Sequence, residues 1–250
     1  MSLLYLIGVP MVLVFSAVLS MAGLGAAFLF VPFFYWLGVP LVEATALGLL
    51  LNFVSLAFAS VVYVRSRLVD FRTAIPIAIT AVILSPLGAQ ATARTDKNLL
   101  LWLFTAFLVF AGSMMLFYRP QPHPPRRGAQ AVAIGTTVGG IAGYLGGLLG
   151  IGGGNFIVPV LNWLGYDAKV AAGTTAFVVV FSSLAGFLGH ASLGGLNFVF
   201  LGVMALTAIA GALLGSYLMR YKLSSPQLKQ IIGLVLYLVA AKIVWGLVFP

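Results

Sequence analysis

Cysteine is absent from this sequence, and acidic residues number only 4 among 250. Without cysteine there is no disulfide and no thiolate metal site. Charged residues of all kinds make up 7% of the chain, against about 25% in a typical soluble domain. Hydrophobic residues make up 62%, and the mean hydropathy is +1.15. These proportions predict an all-α polytopic membrane protein in the cytoplasmic membrane.

The acids all lie at the ends of predicted apolar segments, at Glu43, Asp70, Asp96 and Asp167. The membrane interior is therefore expected to lack a carboxylate, which argues against a cation carrier coupled through one. It also removes the paired acids of an intramembrane aspartyl protease, and no His-Glu-x-x-His zinc motif is present. We therefore expect neither an enzyme nor a bound metal or cofactor.

Basic residues outnumber acidic ones by 13 to 4, which gives a net charge of +9. In a soluble protein this excess would suggest nucleic acid as a partner. In a membrane protein it is typical of cytoplasmic loops that face anionic lipid. The expected partners are therefore the lipid bilayer and a small anionic substrate, with no nucleic acid, and a homodimer is left open.

Ten apolar segments are expected to form the helices. They run at about 3–22, 26–37, 42–64, 73–94, 98–118, 129–148, 154–165, 169–189, 195–219 and 227–249. Roughly 20 residues cross a bilayer, so eight of the ten can span it. Segments 26–37 and 154–165 cannot, because about 12 helical residues reach only some 18 Å. With their far ends at the surface, these two short helices begin near the middle of the membrane.

The two halves of the chain repeat each other. A shift of 127 residues places matching glycine, proline and tryptophan residues on each other without a gap. The matches are Gly8 with Gly135, Gly23 with Gly150, Gly25 with Gly152, Pro32 with Pro159, Trp36 with Trp163, Gly38 with Gly165 and Gly88 with Gly215. The pattern predicts a duplication, with a first membrane repeat at 1–118 and a second at 129–250.

A basic, proline-rich linker at 119–128 joins the repeats. If each half crosses the membrane an odd number of times, this linker and the Arg65 and Arg220 loops share one side. The uncharged loop near Ser192 then lies on the other side. Because basic loops face the cytoplasm, an odd number is favoured, as five spans or as three spans plus a re-entrant hairpin. The prediction is two inverted repeats of about five helical segments each, with both termini outside.

The most distinctive stretch runs from 147 to 159 and holds five glycines in its first eight residues. Each glycine costs about 1 kcal/mol relative to alanine inside a helix, so the helix is expected to break there. The bare backbone of Gly150, Gly152, Gly153 and Gly154 would let a small oxyanion approach several N–H groups at the start of a short helix. Asn155 would add a neutral donor. The alternative is that these glycines serve only close helix packing.

The first half offers a weaker version of this motif. Gly23 and Gly25 precede the short segment 26–37, but Phe28 stands at the position equivalent to Asn155. The predicted site is therefore asymmetric. The two short helices, broken or re-entrant, would approach this site from opposite sides of the membrane and meet near the midplane.

Polar residues inside the spans are further candidates. Thr174 and Thr175 open a spanning helix and offer hydroxyl groups, with helix capping as the alternative. Asn52, Ser182 and the adjoining Ser183 lie within spans, where bonding between helices is the alternative.

His190 lies at the end of segment 169–189 and is either a proton-carrying group or an ordinary interfacial residue. His123 lies in the linker, where a solvated loop histidine is expected.

The paired motifs resemble those of the sulfite exporter TauE/SafE family of bacterial membrane proteins. The resemblance rests on Gly23-Leu-Gly25 with Val31-Pro32, on Gly150-Ile-Gly-Gly-Gly154 with Val158-Pro159, and on Ala171-Ala-Gly-Thr-Thr175. The first half departs from the pattern, because Ala26-Ala27 and Ala46-Leu47-Gly48 replace the glycine-rich and Gly-Thr-Thr elements. The resemblance implies export of sulfite or a related organosulfur anion, such as a sulfonate, across the cytoplasmic membrane.

Together these features predict an inverted-repeat secondary carrier that moves a small sulfur oxyanion outward by alternating access. A channel-like anion conductor and an importer of a related oxyanion are the nearest alternatives. A membrane enzyme would need a nucleophile beside a base, and a structural or lipid-binding protein would not account for two glycine breaks at matching depth.

Overall fold

The computed structural model describes residues 2–21, 25–117, 129–191, 198–221 and 225–248. These ranges contain ten helices and no strand. The helices are α1 Ser2–Met21, α2 Ala27–Trp36, α3 Leu41–Arg65, α4 Phe71–Thr92, α5 Lys97–Phe117, α6 Ala129–Leu149, α7 Gly154–Trp163, α8 Ala168–Ala191, α9 Phe198–Tyr221 and α10 Ser225–Val248. The all-α prediction is confirmed. The predicted linker 119–128, with His123, lies outside the described residues.

Six of the helices are long and apolar enough to cross a membrane. They are α3, α4, α5, α6, α8 and α9, as judged by length and composition over the described residues. The apolar stretches described in α1 and α10 are shorter, at Leu6–Ser20 and Leu236–Val248. Helices α2 and α7 have 10 residues each, as the short predicted segments require.

Three of the four acids cap helices and the fourth lies in a first turn, which explains why they occur only at helix ends. Asp70 Oδ1 accepts from Arg72 N at 3.1 Å and caps α4. Asp96 Oδ1 accepts from Asn98 N at 2.8 Å before α5, and Asp167 Oδ1 accepts from Lys169 N at 2.9 Å before α8. Glu43 lies in the first turn of α3. A carboxylate at such a position satisfies free N–H groups and favours the positive end of the helix dipole.

The shift that aligns the two halves of the sequence also aligns their helices. Ala27–Trp36 moved by 127 residues coincides with Gly154–Trp163, and the starts of α3 and α4 coincide with those of α8 and α9. Backbone conformation repeats as well. Gly25 and Gly152 have φ of 74° and 72°, and Gly38 and Gly165 have φ of 88° and 92°.

The equivalent helices α3 and α8 pack side by side in opposite directions. Leu49 contacts Gly186, and three residues later Asn52 Nδ2 donates to Ser183 Oγ at 2.9 Å. As residue numbers rise along α3, the numbers of the contacting residues in α8 fall, so the two helices are antiparallel. Helices α5 and α10 show the same order, with Gly112 against Tyr237 and Leu116 against Gly233.

Helices α4 and α6 run in the same direction. Thr80 Oγ1 donates to Thr136 O at 3.0 Å, and Thr92 Oγ1 donates to Leu148 O at 2.9 Å. Their counterparts α9 and α1 are also parallel, with Met204 against Gly8 and Gly211 against Ser16. Each half thus packs its long helices against the first helix of the other half.

Candidate functional site

The second glycine break begins where α6 ends. Gly150 has φ of 70°, and Ile151 N donates back to Gly146 O at 2.9 Å while Gly150 N donates to Gly147 O at 3.3 Å. This is the geometry of a Schellman cap, in which a left-handed glycine satisfies the last carbonyls of a helix. Gly152 N also donates to Gly146 O, at 3.3 Å. The N–H groups of residues 150–152 are therefore committed to ending α6.

Helix α7 starts immediately after this cap. Gly152 and Gly153 both have positive φ, of 72° and 74°, and Phe156 N donates to Gly153 O at 3.1 Å. The N–H groups of Gly154 and Asn155 have no earlier carbonyl of α7 to bond, because the first turn of a helix lacks one. The side chain of Asn155 lies outside the described residues.

The first break is built more simply. Gly25 has φ of 74°, but Ala26 has φ of −103° and acts as the N-cap of α2. Leu29 N and Phe30 N both donate to Ala26 O, at 2.9 and 3.0 Å, which leaves the N–H groups of Ala27 and Phe28 without a carbonyl in α2. The other candidate in this half, Gly23, lies outside the described residues.

Asn52 joins the two breaks. It lies near the middle of the 25-residue helix α3, and a side chain on either Gly25 or Gly152 would overlap its amide. Ser182 Oγ donates to Gly152 O at 3.2 Å from α8. We call Gly25, Asn52, Gly152, Ser182 and Ser183 the central cluster. All five of its residues are candidates named from the sequence, and the structure brings them together.

The central cluster is closed to solvent in this conformation. Asn52 and Ser183 have no exposed surface, and Ser182 is 1% exposed. Asn52 Oδ1 is buried without a hydrogen-bond partner, although such groups are usually paired. In the orientation present, Oδ1 of this amide faces Gly25 and Nδ2 faces Gly152. A serine hydroxyl both donates and accepts, so the opposite orientation of the amide is also compatible with a bond to Ser183.

Other predicted residues lie away from this cluster. Thr174 Oγ1 accepts from Asp70 N at 3.0 Å at the opposite end of α8 from His190, and Thr175 Oγ1 is buried without a partner. Gly153 packs against the Ala142 backbone, and Gly150 packs against Thr45 of α3, so closely that a Cβ on Gly150 would lie 2.7 Å from Thr45 Cα.

Thr45 was missed by the sequence reasoning. It lies seven residues before Asn52, on the same face of α3, and is 2% exposed. Helical spacing from Asn52 is the signal that could have identified it. Ser85 Oγ donates to Ser182 O at 2.8 Å and ties α4 to the same region.

His190 is buried inside the protein, in the last turn of α8. It has no exposed surface, and its Nε2 lies 3.0 Å from Gly147 O, in the last turn of α6.

An apolar cleft adjoins the second break. It lies between α2, α3, α5, α6 and α10 and has a cavity volume of only about 10 Å³, about the space of one water molecule. Its lining residues are Val31, Pro32, Tyr35, Leu41, Thr45, Leu100, Leu101, Phe104, Leu148, Leu149 and Ile243. Lys97 Nζ lies 5.3 Å from the centre of the Tyr35 ring, which places a cation beside the cleft.

Comparison with known proteins gives a consistent result. The chain is 25% identical over 272 aligned positions to the probable membrane transporter protein YunE of Bacillus subtilis, covering 98% of this chain and 99% of that protein. It is 30% identical over 106 positions to the probable membrane transporter protein MJ0441 of Methanocaldococcus jannaschii, covering 40% and 39% of the two chains. A 75-residue region is 39% identical to sulfite exporter TauE/SafE family protein 1 of Arabidopsis thaliana, covering 30% of this chain and 17% of that protein. No solved structure matches the chain with comparable significance.

The family model for sulfite exporter TauE/SafE matches residues 8–243, which is nearly the whole chain. With the all-helical architecture and six helices suited to crossing a bilayer among the described residues, it makes this a multi-pass protein of the cell membrane. The chain belongs to the sulfite exporter TauE/SafE family of membrane transporters.

Proposed function

We propose that the protein is a secondary transporter that exports a small sulfur-containing anion, of the sulfite or organosulfonate type, by alternating access. The observation that carries this proposal is the position of Asn52, which touches both glycine breaks near the middle of the long helix α3. The central cluster would bind the anion, together with the N–H groups at the starts of α2 and α7.

The starts of α2 and α7 supply positive electrostatic potential without a charged side chain. Each helix leaves two N–H groups without a partner in its own first turn, at Ala27 and Phe28 and at Gly154 and Asn155. The positive end of a helix dipole adds to these donors. Half-length helices that aim their N-termini at an anionic group are a recurrent feature of transporter sites at membrane depth.

The proposed inverted arrangement has support in the helix directions. The repeat-equivalent helices α3 and α8 are antiparallel, as are α5 and α10, which is what a two-fold axis in the membrane plane would produce. Helices α6 and α8 both run parallel to α4, so the short α7 would return the chain toward the side where α6 started. We propose that α1–α2 and α6–α7 are re-entrant pairs.

Alternating access would begin from a closed state such as this one. Because the Asn52 side chain fills the space beside Gly25 and Gly152, the anion can enter only when α3 and α8 separate from the breaks. The apolar cleft beside Leu148 and Leu149 would provide the outward path. Export of an anion from a negative cell interior is favourable by about 2.3 kcal/mol per charge per 100 mV.

Counterflow in proteoliposomes tests the proposal. Vesicles loaded with unlabelled sulfite or sulfonate should accumulate the labelled anion, and Asn52→Leu should lower the initial rate at least tenfold. Asn98→Leu is the matched control, because Asn98 is exposed in the first turn of α5 and carries the same chemical change away from the cluster. Equal rates for the two variants would remove the central cluster from the mechanism.

The same experiment separates the carrier from a channel-like conductor. A carrier shows saturable flux that is accelerated by substrate on the opposite side, whereas a conductor shows neither. An importer of a related oxyanion would give counterflow but would transport preferentially in the inward direction.

A further inference from the structure

His190 differs from every other polar side chain that the described helices bury. The remaining buried polar residues in those ranges are serines, threonines and Asn52. None of these changes protonation near neutral pH, whereas the ordinary pKa of histidine is about 6.5. Among the described helices, His190 is therefore the buried side chain whose ordinary titration range lies closest to neutral pH.

The hydrogen bond of His190 assigns its two nitrogens. The partner of Nε2 is Gly147 O, a carbonyl that can only accept, so Nε2 carries the hydrogen and donates at 3.0 Å. Nδ1 is then the bare nitrogen, and it is buried with no hydrogen-bond partner among the residues that the structure describes. A second proton would enter at Nδ1 while the bond to Gly147 stays in place.

The bond to Gly147 connects this histidine directly to the second glycine break. Gly147 O also accepts from Gly150 N, in the cap that ends α6. The carbonyl end of α6 carries the negative end of the helix dipole, which favours a positive charge on the imidazole. Protonation therefore takes place at the point where α6 stops and the break begins.

Few other charged or titratable groups lie near this end of the surrounding helices. They are Tyr144 on α6, Glu43 in the first turn of α3, Arg94 just after α4, and Asp96 and Lys97 at the start of α5. None of them bonds His190 within the described residues, and α7 has no titratable side chain. Lys169 on α8 lies at the opposite end of that helix.

We propose that His190 Nδ1 binds a proton together with the transported anion. The inference rests on the proposed function. His190 follows Ser183 by seven residues and so lies on the same face of α8, about 10 Å along the helix. At that separation and an effective dielectric constant of about 20, an imidazolium tightens binding of a monovalent anion on the order of tenfold.

Linkage makes this coupling reciprocal. If the proton strengthens anion binding, anion binding strengthens proton binding by the same factor. The proton enters from water on the side where the anion loads and returns to water on the side where the anion leaves. When the proton and the anion move together, the pair carries one negative charge less than the anion alone, so the electrical driving force for export falls by that one charge.

The test uses methanesulfonate, whose charge stays constant across the pH range. In wild-type proteoliposomes with equal pH on both sides, the half-saturating concentration for counterflow should rise about tenfold between pH 5.5 and pH 8.5. His190→Gln keeps a side-chain N–H that can reach Gly147 O, and it should give the high-pH value at every pH. His123→Gln is the matched control, because it removes the other histidine and should retain the wild-type pH profile.

A second measurement uses the wild-type protein, so its result does not depend on whether the variant folds. Addition of methanesulfonate to wild-type protein in weakly buffered detergent near pH 7 should cause proton uptake. Uptake that persists in His190→Gln, or a wild-type pH profile in that variant, would overturn the inference and leave the proposed function standing. A wild type that binds no sulfur anion at any pH would overturn both.

Discussion

The two glycine breaks occupy equivalent positions in the two halves but differ in construction. The second has three left-handed glycines, Gly150, Gly152 and Gly153, and ends α6 with a Schellman cap. The first has one described left-handed glycine, Gly25, followed by Ala26 in an ordinary conformation. The two breaks therefore share a position in the helix order but differ in backbone geometry.

The short helices after the breaks show the same divergence. Helix α2 is apolar, and all its residues from Ala27 to Phe34 are buried, with Phe30, Phe33 and Phe34 in mutual ring contacts. Helix α7 carries Asn155 and Asn162 in its sequence. The comparison indicates that α2 mainly anchors the first half in the core, and we propose that the asparagines of α7 serve the anion instead.

The largest expected effect separates these two roles. Phe28→Asn should lower the free energy of unfolding by about 3–5 kcal/mol, because Phe28 is fully buried and the change leaves a cavity and an unpaired amide. Asn155→Ala should change stability little but reduce counterflow at least tenfold. Thermal unfolding in detergent and counterflow measure the two effects, and similar stability losses at both positions would contradict the division of roles.

Replacing either of the two glycines of the central cluster with alanine should have the next largest effect. Gly25→Ala and Gly152→Ala should each cost about 2–4 kcal/mol, from a strained positive φ and from overlap with Asn52. Adding Asn52→Ala should recover more stability at Gly25 than at Gly152, because a Cβ at Gly152 would also meet Ser183 Oγ at 2.5 Å and Val179 at 3.0 Å.

The control for this series is Gly202→Ala in α9, where a Cβ has open space around it. It should leave the unfolding temperature unchanged or raise it slightly, since alanine favours the helix. Equal recovery in the two double variants would show that the breaks are packed alike.

A smaller effect should be equal in the two halves. Gly88 packs against the Tyr144 carbonyl, and its counterpart Gly215 packs against the Ala17 carbonyl, which is the position equivalent to Tyr144. Gly88→Ala and Gly215→Ala should each destabilise by about 1–3 kcal/mol, because the helix backbones must move apart. Chemical or thermal unfolding of both variants measures this, and a large inequality would mean that the scaffold has diverged as much as the site.

The smallest effect concerns the paired hydroxyls of α8, which the first half lacks. Thr174→Val should cost about 1 kcal/mol, because it removes the acceptor of the Asp70 N–H. Thr175→Val should cost nothing or stabilise, since the Thr175 hydroxyl is buried without a partner. Unfolding curves for the two variants measure these effects on stability. If Thr175 contacts the anion in another state of the transport cycle, Thr175→Val should slow counterflow and Thr174→Val should not.

Much of the fold was predictable because the signals are local. Apolar run length set the number of helices, and the two 10-residue helices lie where the short segments are. Glycine, proline and tryptophan matches at one shift revealed the repeat, and the acids marked the helix starts they cap. These features depend on residues close together in the chain.

Partnerships across the chain were decided only by the tertiary structure. No sequence pattern pairs Asn52 with Ser183 or places His190 against Gly147, because α3, α6 and α8 meet through packing between the two halves. The glycine-rich stretch also suggested free amides at residues 150–152, which the cap of α6 in fact uses. Composition and periodicity therefore determined a duplicated helical membrane protein with two glycine breaks. Helix packing decided which polar groups those breaks bring together, since contacts between distant segments leave no local pattern in the chain.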